Sequence, residues 1–298
     1  MNRPAPIRRT AEIEEITNLH LIHPMAGHLV PLFARMHVSP NAVTFMGMLL
    51  GLSAGFAYYH YQSALWAVTG FVLMIGWHVM DGADGQLARF THSQSHLGKI
   101  LDGISDDATF VAVYTALALA LGREYGHWVY ALVSAAAASH LVQAATYEAQ
   151  RQEYDFWGRE RRAPQPVRAA PGTGSVASQL LGGLDRLFYG VLSFPAARVM
   201  QRIRGAMTAA LESQPQDQAL IRERYRETFA PVLRQWSALS ANYHTLGIFA
   251  CALLKAPQYY FWFTLVGFNG IMVWLIYRQG ERCKSFLSVL GARQGAAV

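Results

Sequence analysis

Five aspartates, Asp81, Asp84, Asp102, Asp106 and Asp107, fall in the stretch MDGADGQLARFTHSQSHLGKILDGISDDATF at positions 80–110, between some of the most apolar parts of the chain. Asp81 and Asp84 are three residues apart and Asp102 and Asp106 four apart, so each pair projects from one face of a helix. Two adjacent helices joined by a short loop bring four carboxylates together, where they repel one another unless cations lie between them. An all-oxygen donor set suits Mg²⁺ or Mn²⁺ rather than zinc. Gly82, Gly85, Ala88 and Gly98 leave room for a bulky ligand against the backbone, and Arg89 offers a charge-assisted contact to phosphate. Carboxylate-held metals, one arginine and a floor of small residues suit the gripping of a pyrophosphate and the stabilisation of charge as its bridge breaks. Asp107 is expected to make a structural or water contact, and His78, one turn before Asp81, to pack between helices. His92 and His96 are expected to be solvated, with His96 within reach of a bound phosphate.

The elements that must hold these groups are membrane helices. Of 298 residues, 52% are hydrophobic and only 15% charged, an unusual balance for a soluble domain. No Asp, Glu, Lys or Arg occurs from Met36 to Met80, which leaves room for two spans of about 20 residues each with a turn near YYHYQSAL. Uncharged runs follow at Ala108–Gly122, extended toward Leu97, then at Tyr125–Tyr147, Gln235–Leu254 and Ala256–Tyr277. The expectation is an all-α integral membrane protein with six transmembrane helices.

Basic residues orient it. Arg3, Arg8, Arg9 and Arg35 precede the first span, Arg278, Arg282, Lys284 and Arg293 follow the last, and thirteen arginines lie between the fourth and fifth. The opposite face carries little beyond Arg123 with Glu124, and Lys255. The positive-inside rule places both termini and the aspartate segment in the cytoplasm, with a bacterial inner membrane as the expected location. The net charge of +6 is then explained by an anionic leaflet, and no nucleic-acid partner is needed. No signal peptide is expected, and Cys251 and Cys283 suggest neither a disulfide nor a metal site.

Four segments follow. Residues 1–38 read as a cytoplasmic, interfacial amphipathic helix. Residues 39–147 hold spans one to four with the motif at 81–106, residues 148–234 a cytoplasmic interfacial insert, and residues 235–298 spans five and six with a tail. SPN at 39–41 offers an N-cap, and Gly47, Gly51 and Gly55 recur every four residues, which permits close approach of another helix. Within the insert, APQPVRAAPGTGSVAS reads as a loop with helices on either side, among them LDRLFYGVLSF and AARVMQRIRGAMTAALES after it, the second with an apolar stripe opposite its arginines.

DGADGQLAR, eight further residues, then GKILDGISD resembles the signature of the CDP-alcohol phosphotransferases, D-x-x-D-G-x-x-A-R-x8-G-x3-D-x3-D, at every specified position. Chance would produce this on the order of once in ten million chains of such length. Pro40, Asn41 and Thr44 resemble the family's Pro-Asn-x-x-Thr start of helix one. The resemblance implies six transmembrane helices, an N-terminal juxtamembrane helix and a homodimer. It implies that Asp81, Asp84 and Asp102 hold two Mg²⁺ or Mn²⁺ ions, with Asp106 as a further ligand and the general base. Gly85 and Ala88 would face the cytidine and Arg89 a phosphate, with Gly82, Gly98, Asn41 and Thr44 also on the nucleotide side.

The implied reaction takes a CDP-linked lipid and an alcohol and releases CMP. The preferred donor is CDP-diacylglycerol with a polar alcohol acceptor, and the alternative joins CDP-choline or CDP-ethanolamine to diacylglycerol. The insert departs from the compact family core, and its Arg151, Arg159, Arg161 and Arg162 offer contacts to an anionic acceptor or to lipid headgroups; no acceptor site is assigned. A cation transporter would carry its acidic groups near the bilayer midplane, whereas these sit at helix ends. A noncatalytic scaffold gives no reason for four motif aspartates.

Overall fold

The structure, a computed structural model, describes residues 12–159, 192 and 194–296. Every regular element among them is helical. A short π-helical turn (Asn18–Ile22) leads into α1 (His23–Arg35), followed by α2 (Pro40–Tyr59), α3 (Ala64–Phe90), α4 (His96–Tyr125) and α5 (Trp128–Arg159). Beyond them lie α6 (Ala197–Ser213), α7 (Gln218–Trp236), α8 (Ala241–Leu253), α9 (Gln258–Phe263) and α10 (Asn269–Ala296), with a π-helical turn at Thr264–Phe268 joining the last two. Helices long and apolar enough to cross a membrane occupy five stretches: Pro40–Tyr59, Ala64–Phe90, Ile100–Tyr125, Trp128–Arg159 and Gln258–Ser288. The protein is therefore an all-α, multi-span integral membrane protein.

The expected fifth span, Gln235–Leu254, is interrupted by a 3₁₀ turn at Ser237–Leu239, and Ser240 is extended. Its apolar remainder, α8, has 13 residues, about 20 Å of helix against a hydrocarbon core of about 30 Å. Other helices run past their uncharged windows. α5 continues to Arg159, where Arg222 and Arg226 donate to the carbonyls of Trp157 (2.7 Å) and Gly158 (3.0 Å) and so satisfy the orphan acceptors of its last turn.

The chain forms two compact units, one of residues 1–138 and 241–265, the other of residues 139–240 and 266–298. In the first, α2 packs along both α3 and α4, and its small-residue stripe explains how. A Cβ added at Gly47 would lie 3.0 Å from Met80 Cβ on α3. One added at Gly51 would lie 2.1 Å from Thr109 Oγ1, and one at Gly55 3.0 Å from the Ala112 backbone, both on α4. The single stripe thus serves two neighbours. Ser39 caps α2, its hydroxyl accepting from Ala42 N–H at 3.2 Å, and Ser95 caps α4 by accepting from Gly98 N–H at 2.9 Å. α1 buries Ala26, Val30 and Phe33 in one cluster with Val79, Ala83 and Leu87 of α3. α8 is fixed to the far side of the motif helix by Phe71 stacked on Phe249, with centroids 4.1 Å apart, and by His78 bonded to Thr245 at 2.9 Å.

In the second unit, the carboxylate of buried Glu153 accepts from Arg204 and from Trp157 Nε1–H (2.9 Å). Gln143 donates to Asn269 (2.7 Å) and Gln279 to Gln150 (2.5 Å). These polar pairs join α5 to α6 and α10. The loop APQPVRAAPGTGSVAS, most of LDRLFYGVLSF, Arg161, Arg162 and residues 1–11 lie outside the described residues.

Candidate metal and phosphate site

The helical spacings of the motif deliver a carboxylate cluster in the first unit. Asp81 on α3 and Asp102 and Asp106 on α4 each offer an oxygen within 4.8 Å of the other two. Oxygens on one octahedral Mg²⁺ lie about 3 Å apart in adjacent positions and about 4.2 Å apart in opposite ones, so a closure of up to about 2 Å brings this triad onto one ion. A second observation fits the same conclusion: Asp106 Oδ1 is buried and has no hydrogen-bond partner among the described residues. A buried carboxylate oxygen without a donor is costly, and a cation satisfies it. The three aspartates can thus chelate a divalent ion through oxygen alone.

Asp81, Asp84 and Asp102 line one small cleft with Thr44, Gly47, Trp77 and Ser105. Asp84 is buried. Its carboxylate accepts the hydroxyl of Thr44, which also lies 3.1 Å from the Pro40 carbonyl. The first turn of α2 is thereby tied to the motif.

The remaining candidates separate. Arg89 folds back over Gly85, its Nη1 lying 3.4 Å from where a Cβ would stand there, so the absence of a side chain at Gly85 leaves room for the guanidinium across the helix face. Ala88 is half-buried in the same turn. Asn41 and Gly98 meet: a Cβ on Gly98 would lie 3.3 Å from Asn41 Oδ1. Gly82 faces away from the cleft, toward Ile22 and Ala26 of the N-terminal helical segment, each with a side-chain carbon 3.3 Å from its missing Cβ. The structure gives it a packing contact there. His78 packs, with its ring 4.2 Å from that of Trp77. Asp107 and His92 are exposed, while the His96 side chain lies outside the described residues. Arg151 is engaged within its own helix, paired with Glu148 at 3.1 Å and stacked over Tyr147 at 5.5 Å.

Trp77 and Ser105 were not among the sequence candidates. Their signal was positional: Trp77 precedes Asp81 by four residues and Ser105 follows Asp102 by three, spacings that repeat one helix face.

Comparison with known proteins agrees with this geometry. Ethanolaminephosphotransferase 1 of Pongo abelii is 30% identical to this protein over 120 residues, covering 36% of this chain and 30% of that protein. The chain thus spans less than a third of that relative's length. A sequence model of CDP-alcohol phosphatidyltransferases matches residues 37–181, which include the entire aspartate motif. Residues 37–181, which carry the clustered Asp81, Asp102 and Asp106, thus match the family of CDP-alcohol phosphatidyltransferases, a family of transferases.

Proposed function

We propose that the protein is a CDP-alcohol phosphotransferase of phospholipid biosynthesis, moving the phosphatidyl group of CDP-diacylglycerol to the hydroxyl of a polar alcohol with release of CMP. The observation that carries this reading is the convergence of Asp81, Asp102 and Asp106, with Arg89 following Asp81 on the same helix, folded over Gly85. Divalent cations, two Mg²⁺ or Mn²⁺ in this reading, would neutralise the phosphates and polarise the anhydride. Asp106 removes the proton of the acceptor hydroxyl. The freed oxygen forms the new bond to phosphorus as the bond to CMP breaks, and Arg89 holds a phosphate oxygen through the transfer. Asp81, Asp84 and Asp102 would hold the metals with Asp106 as a further ligand, and Thr44 keeps Asp84 oriented. Gly85, Ala88, Gly98 and Asn41 form the nucleotide side, to which Gly82 contributes by letting the N-terminal helical segment press against α3.

A second reading has a specific observation in its favour. The relative of Pongo abelii is by name an ethanolaminephosphotransferase, which supports a CDP-ethanolamine or CDP-choline donor with diacylglycerol as acceptor. The reading as a six-span homodimer with cytoplasmic termini and cytoplasmic site rests on the distribution of arginines and on family resemblance, with α8 as the short fifth crossing. In the same reading the segment 148–234 lies at the cytoplasmic interface.

The test is CMP release by purified protein with Mg²⁺ or Mn²⁺, using CDP-diacylglycerol across a panel of alcohols and, separately, CDP-choline or CDP-ethanolamine with diacylglycerol. Acceptor-dependent release from CDP-diacylglycerol is expected. Release only from the second pair would move the protein to the other branch, and release from neither would refute both.

A further inference from the structure

Trp77 is a buried hydrogen-bond donor that the transfer reaction as described leaves unused. It is 2% exposed, sits one turn before Asp81 on α3, and lines the cleft with the carboxylates. Its indole N–H has no hydrogen-bond partner among the described residues, although a buried tryptophan normally finds one. The faces of the ring are accounted for: it lies against His78 and meets Phe110 edge-on, with centroids 5.5 Å apart. His78 is itself committed to Thr245. The pyrrole edge, which carries the N–H, turns toward α2 at a position without a side chain. A Cβ on Gly47 would lie 3.7 Å from Trp77 Cδ1, the atom bonded to Nε1.

An indole N–H donates and cannot accept, so its missing partner is an acceptor oxygen. The cleft already holds carboxylate oxygens, and the indole pairs with none of them. A neutral donor beside a cation site suits a ligand that carries acceptor oxygens of its own, because it binds them without repelling the cations. We infer that Trp77 donates its indole N–H to a phosphate oxygen of a bound substrate, as a substrate-contacting residue of the cleft outside the aspartate motif. This rests on the transferase reading, which supplies the phosphate.

The experiment follows the ¹⁵N–¹H indole resonance of Trp77 in the full-length protein in lipid nanodiscs, identified by its loss in Trp77→Phe or, should that variant fail to fold, in Trp77→His. Three additions are compared: Mg²⁺ alone, Mg²⁺ with inorganic phosphate, and Mg²⁺ with CMP, whose binding is read independently from its own ³¹P signal. A downfield shift with CMP and not with Mg²⁺ alone is expected. An equal shift with inorganic phosphate would make the contact one for phosphate from either substrate, and a shift with CMP only would place it on the donor. Turnover by Trp77→Phe should fall about tenfold in kcat/KM, as for one lost hydrogen bond. CMP that binds while the Trp77 resonance stays still overturns the inference and leaves the transferase reading intact. CMP that does not bind at all removes the transferase reading, and the phosphate contact falls with it.

Discussion

Gly51→Ala probes the point where the fold sets the geometry of the chemistry. The added Cβ would stand 2.1 Å from Thr109 Oγ1 and 2.6 and 2.7 Å from Thr109 Cγ2 and Cβ, where ordinary contact begins at 3.4 Å. The shortfall is about 1.3 Å, and the threonine cannot swing clear of it, because all three of its nearest atoms, Cβ included, are involved. Overpacking of this severity costs about 3 kcal/mol, and the gain in helix propensity from glycine to alanine returns about 1 kcal/mol. A net loss of about 2 kcal/mol is expected, with α2 and α4 pushed apart.

Thr109 follows Asp106 by three residues on α4, so the displacement reaches the proposed general base. A misplacement of about 1 Å costs on the order of a hundredfold in rate. Thermal melting in detergent should show the instability, and CMP release the larger loss of turnover. Adding Thr109→Gly removes all three atoms and should recover part of both, giving a coupling of 1 kcal/mol or more in a double-mutant cycle, within the range of about 0.5–3 kcal/mol known for touching residues. Gly205→Ala is the control: nothing lies within 4 Å of its added Cβ, so only the propensity gain remains and melting should not fall. A Gly51→Ala protein that melts and turns over like the parent would refute the close packing of α2 on α4.

Two further predictions address the site and its support. Asp106→Asn should abolish CMP release while leaving metal-dependent CMP binding partly intact, as a calorimetric titration would show; turnover near that of the parent protein would remove Asp106 from the base role. Arg204→Ala strands Glu153, a nearly buried carboxylate left with Trp157 as its remaining named donor. Arg204 is itself half exposed, so water replaces part of what it supplied and the loss is about 1–2 kcal/mol; melting should drop, whereas an unchanged melting curve would show Glu153 to be satisfied without the arginine.

The carboxylate cluster was legible because helical periodicity is a local property. Spacings of three and four residues suffice to put Asp81 with Asp84, and Asp102 with Asp106, on common faces, and a short loop between α3 and α4 limits where the pairs can go. The spacing does not distinguish roles within a pair. Asp84 takes the Thr44 hydroxyl while Asp81 joins Asp102 and Asp106, and that division depends on α2, forty residues earlier. Gly82 illustrates the same limit. The sequence shows only that a Cβ is absent there; that Ile22 and Ala26 lie 3.3 Å from that position depends on the N-terminal helical segment, about sixty residues earlier.

Span boundaries were legible where charge coincides with the end of a helix and obscure where it does not. α5 continues through EAQRQEYDFWGR because Arg222 and Arg226 cap its carbonyls and Arg204 pairs with Glu153, contacts made by residues more than forty positions away in sequence. The same pairings change the meaning of the insert's arginines. Read in isolation, thirteen of them suggest a surface for anions, but Arg204, Arg222 and Arg226 are used to close α5 and hold its neighbours. An arginine in sequence is one positive charge; whether that charge is available to a ligand depends on which carboxylate or helix end the fold brings beside it.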